Sequence, residues 1–145
     1  EIEVILAHEL AHHVHKDIWI SVLYEMVVAF AGFFAAHQVL QRAVPLFGFH
    51  GTADPAGIPV LLMIAGAVGL AVKPFMNAVS RSHERRADAF ALRMTRNPPA
   101  FISAMRRLGQ QNLAEETPSR LVQALFYTHP PIKERLRAAQ EWASV

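Results

Sequence analysis

The sequence predicts a mainly α-helical fold in which a hydrophobic helical hairpin interrupts a more polar helical core. Three observations carry this. Apolar residues recur at helical spacing through most of the chain, two long apolar runs flank the turn-forming "GTADPAG" at 51–57, and no stretch shows strand-length alternation. The 145 residues suffice for one domain with a core, at a formal net charge of +2 and 52% hydrophobic content. Cysteine is absent, which excludes disulfides, thiolate metal sites and cysteine nucleophiles and leaves His, Asp and Glu as metal donors. The chain opens at Glu1, without methionine and only seven residues before His8, so 1–145 is read as a part of a longer protein whose upstream segments lie elsewhere.

From Ile2 to Lys16 the positions Val4, Ile5, Leu6, Leu10, Ala11 and Val14 follow helical spacing with no Gly or Pro between them, which predicts a first helix. Next come "IWISVLYEMVVAFAGFFAAHQVLQRAVP" at 18–45 and, from Gly57, "GIPVLLMIAGAVGLAV". A membrane-crossing helix needs about 20 mostly apolar residues, so 18–45 and 57–76 are expected transmembrane helices. A hairpin buried in a soluble helical domain is the alternative. Glu25 and His37 interrupt the first run, and polar groups there are costly unless they face protein, water or the interface.

Lys16 precedes the hairpin and Lys73, Arg81, Arg85, Arg86, Arg93 and Arg96 follow it, against Arg42 and Asp54 between its arms. This asymmetry places both outer ends in the cytoplasm. The expectation is an integral protein of a bacterial inner membrane whose chemistry faces the cytoplasm. Helical patterning runs on through "PFMNAVSRSHERRADAFALRMTR", with a kink expected at Pro74 and a stop at "NPP", 97–99. Three short amphipathic helices are predicted in "AFISAMRRLGQQN", "SRLVQALFY" and "PIKERLRAAQEWA".

The chemistry concentrates in "AHELAHHVHKD" at 7–17. His8 and His12, four residues apart, project from one helix face and can grip one metal ion, while Glu9 at the edge of that face can take a proton from water. A catalytic zinc site needs a third protein ligand and an open position. His8, His12 and His15 together would span about 10 Å of helix axis, too far for one ion, so the third ligand must come from another helix.

"SRSHERRAD" offers Glu84, with Asp88 one turn later placed to orient a ligand histidine. An exposed charged face pairing Glu84 with Arg81 or Arg85 is the bland reading. His83 is the rival ligand, about 100° away around the helix from Glu84. In "FYTHPPIKERL", His129 precedes two prolines that stiffen the corner presenting it, and His129 or Tyr127 could donate to an oxyanion. Arg135 is expected to pair with a carboxylate, and His13 and His15 to be bystanders. The basic residues lack interleaved aromatics, so nucleic acid is not an expected partner.

"HELAHH", "SRSHERRAD" and "THPPIKERL", in this order and with the hairpin between the first two, resemble the membrane zinc metallopeptidases that include type I CAAX prenyl proteases and HtpX. The resemblance covers nearly the whole chain. It implies a zincin-like helical core with the hairpin inserted between two metal-binding helices. It also implies one zinc ion per chain held by His8, His12 and Glu84, Glu9 as general base, Asp88 beside a ligand histidine and His129 as a transition-state stabiliser. The implied reaction is hydrolysis of peptide bonds in a peptide or protein substrate at the bilayer: prenylated C-terminal peptides in the CAAX branch, misfolded membrane proteins in the HtpX branch. Two other functions fit parts of the pattern: a signalling receptor built on a metallopeptidase-like domain, and a metal-binding membrane scaffold in which "HELAH" is vestigial. The intact Glu9 argues against the scaffold.

Overall fold

The computed structural model describes residues 1–111 and 117–144. Their elements are α1 (Ile2–Val14), α2 (Asp17–Phe47), α3 (Ile58–Thr95), α4 (Pro98–Gln111), α5 (Arg120–Phe126) and α6 (Ile132–Ala143). A 3-10 turn covers Pro55–Gly57, and no strand occurs among the described residues. The segment 18–45 falls inside α2, and 57–76 runs from the last residue of the 3-10 turn into α3. Helix α3 continues through Pro74 to Thr95, so the second apolar run and "SRSHERRAD" share one helical element. The three C-terminal patterns are α4, α5 and α6; Asn112 and the joint at 112–116 lie outside the described residues.

Local chemistry explains the boundaries. Lys16 adopts a left-handed backbone (φ 57°), which ends the α1 direction and lets Asp17 open α2. Gly48 closes α2 in the same region (φ 71°), with the Phe49 N–H returning to Val44 O at 3.0 Å as in a Schellman motif. Arg96 (φ 49°) ends α3, and Asn97 then caps α4, its Oδ1 accepting from Ala100 N at 3.1 Å with Pro98 in the first turn. Ser119 caps α5 through Val122 N at 3.3 Å.

The chain divides into two compact units, Glu1–Ile18 with Pro74–Val145, and Trp19–Lys73. The core of the first unites Val4 and Ala7 of α1, Ala91 and Leu92 of α3, Phe101, Ala104 and Met105 of α4 and Ala139 of α6, with Leu136 and Trp142 packed against it. Phe101, 1% exposed, is the largest side chain fully enclosed. Ala11, Ala87 and Ala91 are 0% exposed and end at Cβ, leaving room between helices for longer polar side chains to converge. Of the apolar positions on α1, Val4 and Ala11 are buried, but Ile5, Leu6, Leu10 and Val14 are exposed. The inward stripe is the one that carries His8.

The second unit is the hairpin. Gly32 faces Val68, where an added methyl would sit 3.7 Å from Cγ1, and Gly57 lies under Leu40 and Phe49. Asp54 holds the connection by accepting from His50 N and Ala56 N, and these backbone donors lower its carboxyl to a pKa of about 2. Large apolar side chains such as Phe30, Phe33, Leu62 and Met63 are exposed along both arms. Glu25 and His37 are exposed too, the latter bonded to Gln41. Both helices are long and apolar enough to cross a membrane, and their most apolar windows are 0% and 6% buried.

Candidate metal centre

Helical spacing on α1 aims His8 and His12 the same way, and α3 supplies Glu84 and Asp88 from one face of its own, all four within the first unit. His8 Nε2 lies 3.3 Å from His12 Nε2 and 3.3 Å from Glu84 Oε2, and His12 Nε2 lies 3.5 Å from Glu84 Oε1. One donor atom from each of the three residues lies within 4.8 Å of the others, a grouping that could hold a metal ion. Donors about 2.05 Å from a tetrahedral zinc ion stand about 3.3 Å apart, so this spacing fits a common centre. The chemistry of the donors fits as well. Two Nε2 atoms face one another, and Glu84 Oε2 is buried with no hydrogen-bond donor among the described residues. An exposed charged face is ruled out for Glu84, which is 7% exposed.

Around the three lies a shell of charge. His8 Nδ1 is 3.0 Å from Asp88 Oδ1. Asp88 is gripped in turn by Arg135, with Nε to Oδ2 at 2.7 Å and Nη2 to Oδ1 at 2.5 Å. Burial alone would lower the pKa of His8, but Asp88 and Glu84 overcome it and raise the value to about 9. Burial would raise Glu84; His8, the charges of His129 and Arg135 included, hold it below the usual carboxylate range. Asp88 is lowered in the same way, against burial, by His8 and Arg135.

Glu9 is exposed and lines a cavity of about 280 Å³ together with His8, Glu84, Tyr127 and His129, walled by Val4, Ile5, Met105 and Ile132. His129 Nε2 stands 3.5 Å from Glu84 Oε1. His83 is outside the triad, with Nδ1 3.9 Å from Asp17 Oδ1. His13 is exposed, and His15 donates to Ala11 O at 2.8 Å.

Some participants had no signal in the sequence. Asp17, 4% exposed, meets His12 Nδ1 through Oδ2 at 2.9 Å and is paired with Arg86. Arg81, counted in the sequence among the basic residues that follow the hairpin, is buried and donates to Gln123 O at 3.0 Å and Tyr127 O at 2.7 Å, while Asn77 donates to Ala124 O at 2.9 Å. These bonds hold the end of α5, and so the corner bearing His129, from the helix that carries Glu84.

Comparison with known proteins gives the family. The model of peptidase family M48 matches residues 1–143. The chain belongs to peptidase family M48. It is 34% identical over 145 residues to a Bacillus subtilis (strain 168) protein named "Uncharacterized metalloprotease YhfN", covering 97% of this chain and 34% of that protein. A "Protease HtpX homolog" of Syntrophotalea carbinolica is 31% identical over 154 residues, covering 94% of this chain and 54% of the relative. The crystal structure of S. mikatae Ste24p matches with a TM-score of 0.80 at 26% identity, over 96% of this chain and 36% of that one. The chain thus spans about a third to a half of the length of these relatives. The M48 chain shares its helical fold with Ste24p, and its relatives are named as proteases and a metalloprotease. The family read from the three motifs is the family found.

Proposed function

We propose that this M48 chain carries the catalytic core of a membrane-embedded zinc endopeptidase. The observation that carries the reading is the convergence of His8 Nε2, His12 Nε2 and the Glu84 carboxylate at spacings of 3.3–3.5 Å beside an open cavity. His8, His12 and Glu84 would hold one zinc ion per chain, which supplies Lewis acidity to the scissile carbonyl and to the attacking water. Glu9, on the cavity wall, takes the proton from that water and returns it to the leaving amine as the C–N bond breaks. His129 donates to the oxyanion as the carbonyl carbon becomes tetrahedral. Asp88 orients His8, and Arg135 holds Asp88.

Membrane embedding is supported by the hairpin, whose large apolar side chains are exposed among the described residues. In this reading the spans 18–45 and 57–76 cross the bilayer, and the basic residues on both flanks support a centre that faces the cytoplasm. The bacterial relatives support an inner-membrane setting. The substrate is a peptide or protein segment reaching the cavity from the membrane surface.

Elemental analysis of the intact protein tests this reading. One zinc per chain is expected in wild type, lost in Glu84→Ala and kept in His83→Ala. Glu9→Gln should keep zinc and lose at least 100-fold in peptide cleavage, as expected for removal of a general base. A wild type without zinc, or a Glu9→Gln variant with full activity, would overturn it.

A further inference from the structure

Asp17 occupies a place that the metal centre reading does not use. On an unbroken helix a residue five positions after His12 would point about 140° away. Here the left-handed turn at Lys16 breaks the helix, and Asp17, the first residue of α2, comes back against His12. Its carboxylate is divided between two tasks. Oδ2 faces His12 Nδ1 at 2.9 Å, whereas Oδ1 is paired with Arg86 and lies 3.9 Å from His83 Nδ1. The side chain is 6% exposed, so it is held among these groups rather than shared with solvent.

We propose that Asp17 is the positioning residue of His12, and that Arg86, with His83 behind it, clamps Asp17 from α3. The inference rests on the zinc reading of the centre. The chemistry is that of a carboxylate accepting the Nδ1 proton of a metal-binding imidazole: it fixes the tautomer with Nε2 free to donate its lone pair and stops the ring turning. His12 needs this more than His8 does, because its side chain is 20% exposed against 11%. The two histidines thereby receive separate carboxylates, Asp88 from within α3 for His8 and Asp17 from the start of α2 for His12. His83, one residue before Glu84, supports the site through Asp17 instead of binding metal.

The test is zinc affinity, measured at fixed pH by competition with a chromophoric chelator in the intact protein, together with the visible d–d spectrum after cobalt substitution. Asp17→Ala should weaken zinc binding by about 10–100-fold and alter the cobalt bands. Asp17→Asn, which can still accept the Nδ1 proton, should recover part of that loss, and Arg86→Met should weaken binding less than Asp17→Ala but in the same direction. Should Asp17→Ala fail to fold, Asp17→Asn and Arg86→Met carry the test. Zinc affinity within twofold of wild type and unchanged cobalt bands in the folded variants would overturn the inference while leaving the metal centre standing. A wild type that binds neither metal would overturn the zinc reading and this inference with it.

Discussion

Arg135 grips Asp88 with both arms of its guanidinium, Nε on Oδ2 and Nη2 on Oδ1, and both side chains are 7% exposed. A fork of this kind is bidentate and charge-assisted, and removing one member strands the other in a site with little water. Arg135→Ala should therefore destabilise the protein by about 3–5 kcal/mol in denaturant unfolding. Asp88→Asn should cost less, since the amide oxygen still accepts from Arg135 and Glu84 Oε2, 3.8 Å from Arg135 Nη2, keeps that cation paired. Equal losses for the two would contradict the charge argument.

A pH prediction follows from His8. Its ordinary pKa is 6.5 and the fold raises it to about 9, against the burial that opposes the charged form. A raised folded value means that the contribution is complete below about pH 6.5 and is lost as the pH climbs through about 9. Chelator-treated protein should accordingly melt at lower temperature as pH rises across this window, and His8→Gln should flatten the trend. Zinc requires the unprotonated ring, so binding near neutral pH should release a proton, detectable as a dependence of binding enthalpy on the buffer. A binding enthalpy independent of the buffer would contradict it.

Arg81 supports the corner that presents His129. Replacing it with Met removes the donor to Gln123 O and Tyr127 O while keeping most of the side-chain volume. Amide hydrogen exchange at 127–129 should quicken at least tenfold in Arg81→Met with zinc retained, and turnover should fall with it. Unchanged exchange in that segment would mean that α5 is held by other contacts.

The core prediction concerns Phe101, 1% exposed between α1, α3, α4 and α6. Phe101→Ala should cost about 3–5 kcal/mol by opening a cavity. Zinc bound to the folded fraction should stay at the wild-type level, because Phe101 belongs to the apolar core and is not among the residues that line the cavity with His8, Glu9 and Glu84. A Phe101→Leu variant should recover more than half of the loss.

What the sequence disclosed and what it hid follow from helix geometry. His8, His12, Glu84 and Asp88 were legible because helical periodicity fixes directions within each helix, and the residue types limit what they can do. Their meeting across two helices could be expected only from the motifs together. Asp17 was hidden by the turn at Lys16, a residue type that gives no hint of a left-handed backbone. Arg81 was hidden by distance along the chain, since its acceptors are carbonyls 42 and 46 residues later and carry no side-chain signature. On α1 the apolar pattern correctly gave a helix. It did not show that Ile2, Leu6, Leu10 and Val14 form an outward row, because the inward row was already taken by Val4, Ala7, His8 and Ala11.

Ala11, Ala87 and Ala91, each 0% exposed on the two helices that carry the donor residues, offer no functional group, yet their small size bears on how near the donor side chains can come. A single added methylene at such a position must be accommodated by a shift of a neighbouring helix or of a rotamer. Separations of 3.3–3.5 Å among the donor atoms leave a margin smaller than such a shift. The part of this protein least able to drift is therefore its most ordinary residue type. Mutational scanning would find intolerance at positions where an inspection of functional groups would find nothing to explain it.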